Sequence, residues 1–113
     1  MTTRTARTAR PPARPVRAAG HRIEIRDGCA VVDGAVKPLP PALMALLRAL
    51  ATRPGAVISG RELLRVLPGD SADTHAVEVA VLRLRSALGD RNIVRTIVKR
   101  GYRLSVDEPV GAP

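Results

Sequence analysis

A chain of 113 residues has room for one domain. Its 19 Lys and Arg against 10 Asp and Glu leave a formal charge of +9, which points to an anionic partner, a nucleic acid or a membrane surface. Tyr102 is the only aromatic residue and Cys29 the only cysteine, so base-stacking platforms, an internal disulfide and multi-cysteine metal sites are excluded. No apolar run approaches the roughly 18 residues of a membrane-spanning helix, and a reducing, cytoplasmic setting is expected.

The charge is unevenly placed. Residues 1–20 carry Arg4, Arg7, Arg10, Arg14 and Arg17 and no acid, leaving 14 basic and 10 acidic residues for the rest. Pro11, Pro12 and Pro15 oppose a helix, and Val16 is the only large apolar anchor, so residues 1–20 are expected to form a disordered Arg/Pro-rich arm or linker. The mildly basic remainder, without stacking aromatics, suits duplex DNA better than single strands.

Residues 21–107 are expected to form the domain. Arg22-Ile23-Glu24-Ile25-Arg26 alternates with period 2, Asp27-Gly28 and Asp33-Gly34 signal turns, and Cys29–Val32 and Ala35–Leu39 supply further strands of an antiparallel meander. Cys29 reads as a small buried or half-buried hydrophobe. From Pro40 the period changes: Leu39, Leu43, Leu46, Leu47 and Leu50 recur at helical spacing until Arg53-Pro54-Gly55. Ser59-Gly60-Arg61-Glu62 is a capping box, with Ile58 and Leu63 placed for a hydrophobic staple, and this second helix stops at Pro68-Gly69. A third helix is expected over about 74–88, capped by Asp73 and closed by Gly89. Ile93–Val98 and Tyr102–Val106 then read as a hairpin turning at Lys99-Arg100-Gly101, followed by a short tail, 108–113.

The third helix carries the functional signal. Val77, Val81, Leu84 and Leu88 form a narrow core stripe. Opposite it lie His75, Val79, Leu82, Arg83 and Ser86, and Arg83 and Arg85 flank the stripe on either side. A helix seated in a major groove needs one arginine for a base edge and another for the phosphate wall. Exposed Val79 and Leu82 suit thymine methyls better than water, and the Lys99-Arg100 tip can follow the backbone or enter a minor groove. Each feature alone has a plainer reading as a solvated face or a protected hairpin edge, which is also the simplest view of Arg61 and Arg65; the joint arrangement favours DNA. Asp70, Asp73 and Glu78 suit capping and the helix dipole. With no nucleophile–base pair, carboxylate pair, metal-ligand spacing or phosphate-cradling glycine loop, neither an enzyme nor a metal or cofactor site is expected.

The segments Leu46–Ser59, Glu62–Leu64, Val77–Leu88 and Ile93–Leu104, with Arg83-Leu84-Arg85 and Gly101-Tyr102-Arg103-Leu104 as the most specific pieces, resemble the winged-helix effector domain of OmpR/PhoB-type response regulators. That resemblance implies an α+β winged helix with an opening four-stranded sheet, and a bacterial transcription regulator that binds double-stranded DNA. By it, Arg83, Val79 and Ala76 face bases, and Arg85 and Thr96 serve the backbone; the outward helix face and the hairpin tip add Leu82 to the expected base-facing set and His75, Ser86, Arg61, Lys99 and Arg100 to the backbone or wing set. The resemblance further implies contact of loop 68–73 with RNA polymerase, and a chain monomeric in solution or dimeric on DNA.

The chain departs from the family at several positions. His75 stands where Arg is common, Ala80 where His is common and Leu82 where a basic residue is common. Val98-Lys99-Arg100-Gly101-Tyr102 replaces the usual Arg-Gly-x-Gly-Tyr wing, and the aromatic of loop 68–73 is missing. The ending Val-Lys-Arg-Gly-Tyr-Arg-Leu is also similar to winged-helix domains appended to uroporphyrinogen-III synthase-like proteins. Two rival readings follow: a winged-helix module that binds protein or regulates a fused enzyme, and non-specific DNA binding by residues 1–20.

Overall fold

Alternating apolar residues and tight turns build the first layer of the computed structural model, which describes residues 15–69 and 73–106. Residues 1–14 of the expected arm, 70–72 of the loop and the expected tail lie outside the described residues. Strands β1 (Val16–Ala18), β2 (His21–Arg26), β3 (Cys29–Val32) and β4 (Ala35–Pro38) form an antiparallel sheet in sequence order. The β2–β3 register pairs Ile23 with Val32 and Ile25 with Ala30, so Ile23, Ala30 and Val32 are buried together on one face. Cys29 is half-buried.

Strand β1 corrects the expectation of a disordered arm through residue 20. It pairs with β2 through Val16–Ile23 and Ala18–His21, and Ala18 is fully buried. Ala19 and Gly20 both take positive φ, 52° and 82°, the backbone of a two-residue hairpin turn. Three residues after a proline, with Arg17 between small or branched neighbours, carry too little alternation to announce a strand.

Helix α1 (Pro41–Thr52) starts with proline at its first position, where the missing N–H costs nothing. It buries Leu43, Leu46, Leu47 and Leu50, together with Met44, against the sheet and the other helices. Helix α2 (Gly60–Val66) is capped by Ser59 Oγ, which accepts from Glu62 N at 3.1 Å. The Glu62 carboxylate accepts from Arg53 Nη2 at 3.2 Å, so this cap ties the start of α2 to the end of α1. Ile58 and Leu63, the expected staple, are both buried.

Helix α3 (His75–Leu88) begins where Asp73 Oδ1 accepts from His75 N at 2.9 Å, and closes at Gly89 (φ 90°), whose N–H reaches Arg85 O and Ser86 O. Val77, Val81, Leu84 and Leu88 are all buried, as is Ala80.

Strands β5 (Val94–Ile97) and β6 (Gly101–Leu104) form the hairpin, with Val94 opposite Leu104 and Thr96 opposite Tyr102. At its tip Lys99 takes the left-handed position (φ 63°) and Arg100 N donates to Ile97 O at 2.9 Å, the bond of a four-residue turn. Gly101 therefore sits just past the turn. Ile58 N donates to Tyr102 O at 2.8 Å and Tyr102 N to Ile58 O at 2.9 Å. A β-carbon on Gly101 (φ 144°) would lie 2.1 Å from Ile58 O, so only glycine allows the hairpin to dock there. Gly101→Ala is expected to cost roughly 2–4 kcal/mol in denaturant unfolding, from steric clash and positive φ together. Gly34→Ala, at φ 85° with nothing within 4 Å, should cost only the strain of about 1–2 kcal/mol.

His21 joins the sheet to the far end of α3. Its Nδ1 lies 2.6 Å from Asp33 Oδ2 in the β3–β4 turn, and its Nε2 lies 2.8 Å from Asp90 Oδ2, just past Gly89. Hydrogen bonding to Asp33 and then Asp90 raises the His21 pKa above 6.5. The Arg22 N–H and then His21 hold Asp33 below 3.8, while the Asn92 N–H and then His21 do the same for Asp90. The His21 contribution is complete below pH 6.5 and falls as pH rises through its raised pKa; the carboxylates' contribution is present above 3.8 and falls on acidification through their lowered values. Thermal midpoints should therefore decline on the neutral-to-alkaline side, and His21→Ala should flatten that limb; an unchanged limb would remove His21 as its source.

Candidate nucleic-acid interface

Because one face of α3 is buried, its other residues are turned outward. Arg83 is exposed, with no side-chain partner among the described residues. Leu82 beside it is 62% exposed, an unusual setting for leucine away from a partner. Ala76 and Val79 are half-buried and Ser86 is exposed. His75 is exposed at the first turn, its Nδ1 3.2 Å from Glu78 Oε1.

Arg85 is placed differently from the free phosphate-gripping side chain that the sequence suggests. Its Nε donates to Val94 O at 2.9 Å and its Nη2 to Thr96 Oγ1 at 2.8 Å. The guanidinium thus ties α3 to β5 and brings Thr96 beside the helix, with its remaining N–H donors uncommitted.

The other expected residues lie at two ends of this surface. The starts of α2 and α3 meet where Gly60 approaches Thr74, and Arg61 and His75 follow them in sequence. Lys99 and Arg100 are exposed at the hairpin tip, beside Val98, which is 76% exposed.

Charge separates the two sides of the molecule. Arg22 and Arg26 pair with Glu24, Arg48 with Asp27, and Arg53 with Glu62. Residues 79–106, by contrast, hold Arg83, Arg85, Arg91, Arg95, Lys99, Arg100 and Arg103 against one acid, Asp90. That acid is already bound, to His21 through Oδ2 and to Asn92 N through Oδ1 at 2.8 Å. An open recess of about 980 Å³ lies between the second half of α3 and β5, lined by Leu82, Arg85, Ser86, Arg91, Asn92 and Arg95 among others.

Sequence reasoning passed over His21, Arg91 and Arg95. The Arg95–Arg103 pairing follows from the hairpin register and was open to inspection. His21 gave no local signal, since its partners Asp33 and Asp90 come from distant turns. No helix among the described residues is long and apolar enough to cross a membrane.

Known proteins share this arrangement. The family described as transcriptional regulatory protein, C terminal, matches residues 34–104. The transcriptional regulatory protein CutR of Streptomyces coelicolor is 35% identical over 74 residues, covering 64% of this chain and 34% of CutR. The chain thus matches about a third of that relative's length. Among solved structures, the DNA-binding domain of Klebsiella pneumoniae RstA, in complex with RstA box, superposes with a TM-score of 0.65 at 24% identity over 82% of this chain and 98% of that one. The response regulator DrrB, a Thermotoga maritima OmpR/PhoB homolog, superposes with a TM-score of 0.68 at 22% identity over 89% of this chain and 48% of that one. The chain belongs to the family of transcriptional regulatory protein C-terminal domains, and its fold is the winged helix of the OmpR/PhoB type.

Proposed function

We propose that this domain binds duplex DNA sequence-specifically, with α3 in the major groove and the β5–β6 hairpin as a wing on the backbone or in the adjacent minor groove. The observation that carries the reading is the run of seven cations over α3 and the hairpin against two acids, Glu78 beside His75 and Asp90 beside His21, on a molecule where Arg22, Arg26, Arg48 and Arg53 are ion-paired. Such a face attracts phosphates, and the counterions it displaces supply affinity without sequence preference. Preference comes from what reaches base edges. Arg83 is the exposed, uncommitted donor for a guanine edge, and Leu82, Val79 and Ala76 give an apolar surface for thymine methyls.

The backbone is gripped by Arg61 and His75 at the helix starts, Ser86, Arg85 and Thr96 at the junction with β5, and Lys99 and Arg100 at the tip. Arg85 has two tasks in this reading, since it holds the wing strand before any phosphate arrives. The domain acts by binding and performs no catalysis. Family resemblance extends the reading to paired domains on repeated half-sites, contact of loop 68–73 with RNA polymerase, and work in the bacterial cytoplasm.

Selection from a random duplex pool by the full chain is expected to enrich a motif. Arg83→Ala should relax one position of it and cost about 1–3 kcal/mol; an unaltered motif would remove Arg83 from base readout. Lys99→Ala with Arg100→Ala should weaken all duplexes alike and make the dependence of log K on log salt shallower by about one per lost phosphate contact. Loss of preference instead would place the tip on bases.

A further inference from the structure

We infer that the recess between the second half of α3 and β5 is an additional backbone-phosphate site, in which Arg91 and Arg95 hold the DNA strand beyond the contacts of Arg85 and Thr96. The inference rests on the duplex-binding reading and adds two residues to it.

The lining is chemically suited to a phosphodiester. Arg85, Arg91 and Arg95 supply guanidinium donors, Ser86 and Thr96 hydroxyls, and Asn92 an amide, around an opening of about 980 Å³. Arg91 and Arg95 have no side-chain partner among the described residues, although Arg22, Arg26, Arg48 and Arg53 find acids. Arg95 also stands directly opposite Arg103 on the hairpin ladder. Like charges in that position repel, and nothing acidic on either strand offsets them. An anion laid along β5 would relieve the repulsion.

The one acid of the lining would oppose a phosphate if it were bare. Both Asp90 oxygens are already bound, Oδ1 by Asn92 N at 2.8 Å and Oδ2 by His21 Nε2 at 2.8 Å. His21 from β2 and the Asn92 backbone thus each occupy one oxygen of the recess's only carboxylate. The recess is also continuous with α3, because Leu82, Arg85 and Ser86 line it and Arg83 lies within the same turn.

The test compares two double variants with the same change in net charge. Arg91→Ala with Arg95→Ala removes the recess arginines; Arg22→Ala with Arg26→Ala removes two exposed arginines from the sheet. Binding to a fixed duplex is measured across a salt series. The recess variant should bind several-fold more weakly, with a salt slope shallower by about two, at an unchanged selected motif. The sheet variant should keep the wild-type slope. Equal slopes in both variants, whether reduced or unchanged, would overturn the site. The readings fail separately: selection without a motif would overturn base readout by Arg83, while the slope difference, read on any duplex, would still decide the recess. A thermal midpoint for Arg95→Ala at or above wild type is the companion result, since the substitution removes a repulsion; a marked fall would show that Arg95 is structural and would also overturn the assignment.

Discussion

Burial of Val77, Val81, Leu84 and Leu88 on one side of α3 is the constraint from which the functional surface follows. Four branched aliphatic side chains at helical spacing hold the helix in one rotation against α1, α2 and the hairpin. At 100° per residue that rotation leaves Arg83 facing out and sends Arg85 toward β5. Two backbone hydrogen bonds between Ile58 and Tyr102 then hold the base of the hairpin to the segment entering α2. The helix and the wing therefore form one surface, because each is anchored to the same core through a different contact.

The electrostatics are arranged with equal economy. Exposed ion pairs add little stability individually, usually within about 1 kcal/mol. The pairing on the sheet side does more for the shape of the electric field than for the fold, since it lowers the net charge there. Cations of α3 and the hairpin remain unmatched, at some cost in repulsion to the folded chain. His21, between Asp33 and Asp90, belongs to both descriptions: it clips the sheet to the turn after α3 and binds the carboxylate that lines the recess.

Much of this was legible in the residues, and what was not has a physical reason. The apolar stripe of α3, the Ser59 cap, the Gly89 stop and the turns at Asp27-Gly28 and Asp33-Gly34 are local patterns, and local patterns survive in a sequence. Gly101 was assigned to the hairpin turn, whereas the structure adds a tertiary reason, the carbonyl of Ile58. Strand β1 was missed because its identity comes from pairing with β2 rather than from its own three residues. Arg85 was placed on the correct flank of the stripe, but its hydrogen bonds to Val94 and Thr96 depend on where β5 returns. His21 meets Asp90 across 69 positions of sequence, a contact no local window contains, while the recess, though lined by residues 82–96 alone, takes its shape from where β5 returns along α3.

Mapping the contact face on the full chain by NMR, with amide shifts followed as a selected duplex is added, tests the central claim most directly. The account predicts that the largest changes fall on the outward residues of α3, around Arg83, and on the hairpin tip at Lys99 and Arg100, while the outer face of the sheet at Arg22 and Val36 stays still. Changes centred on the sheet, or confined to residues 1–14, would contradict it.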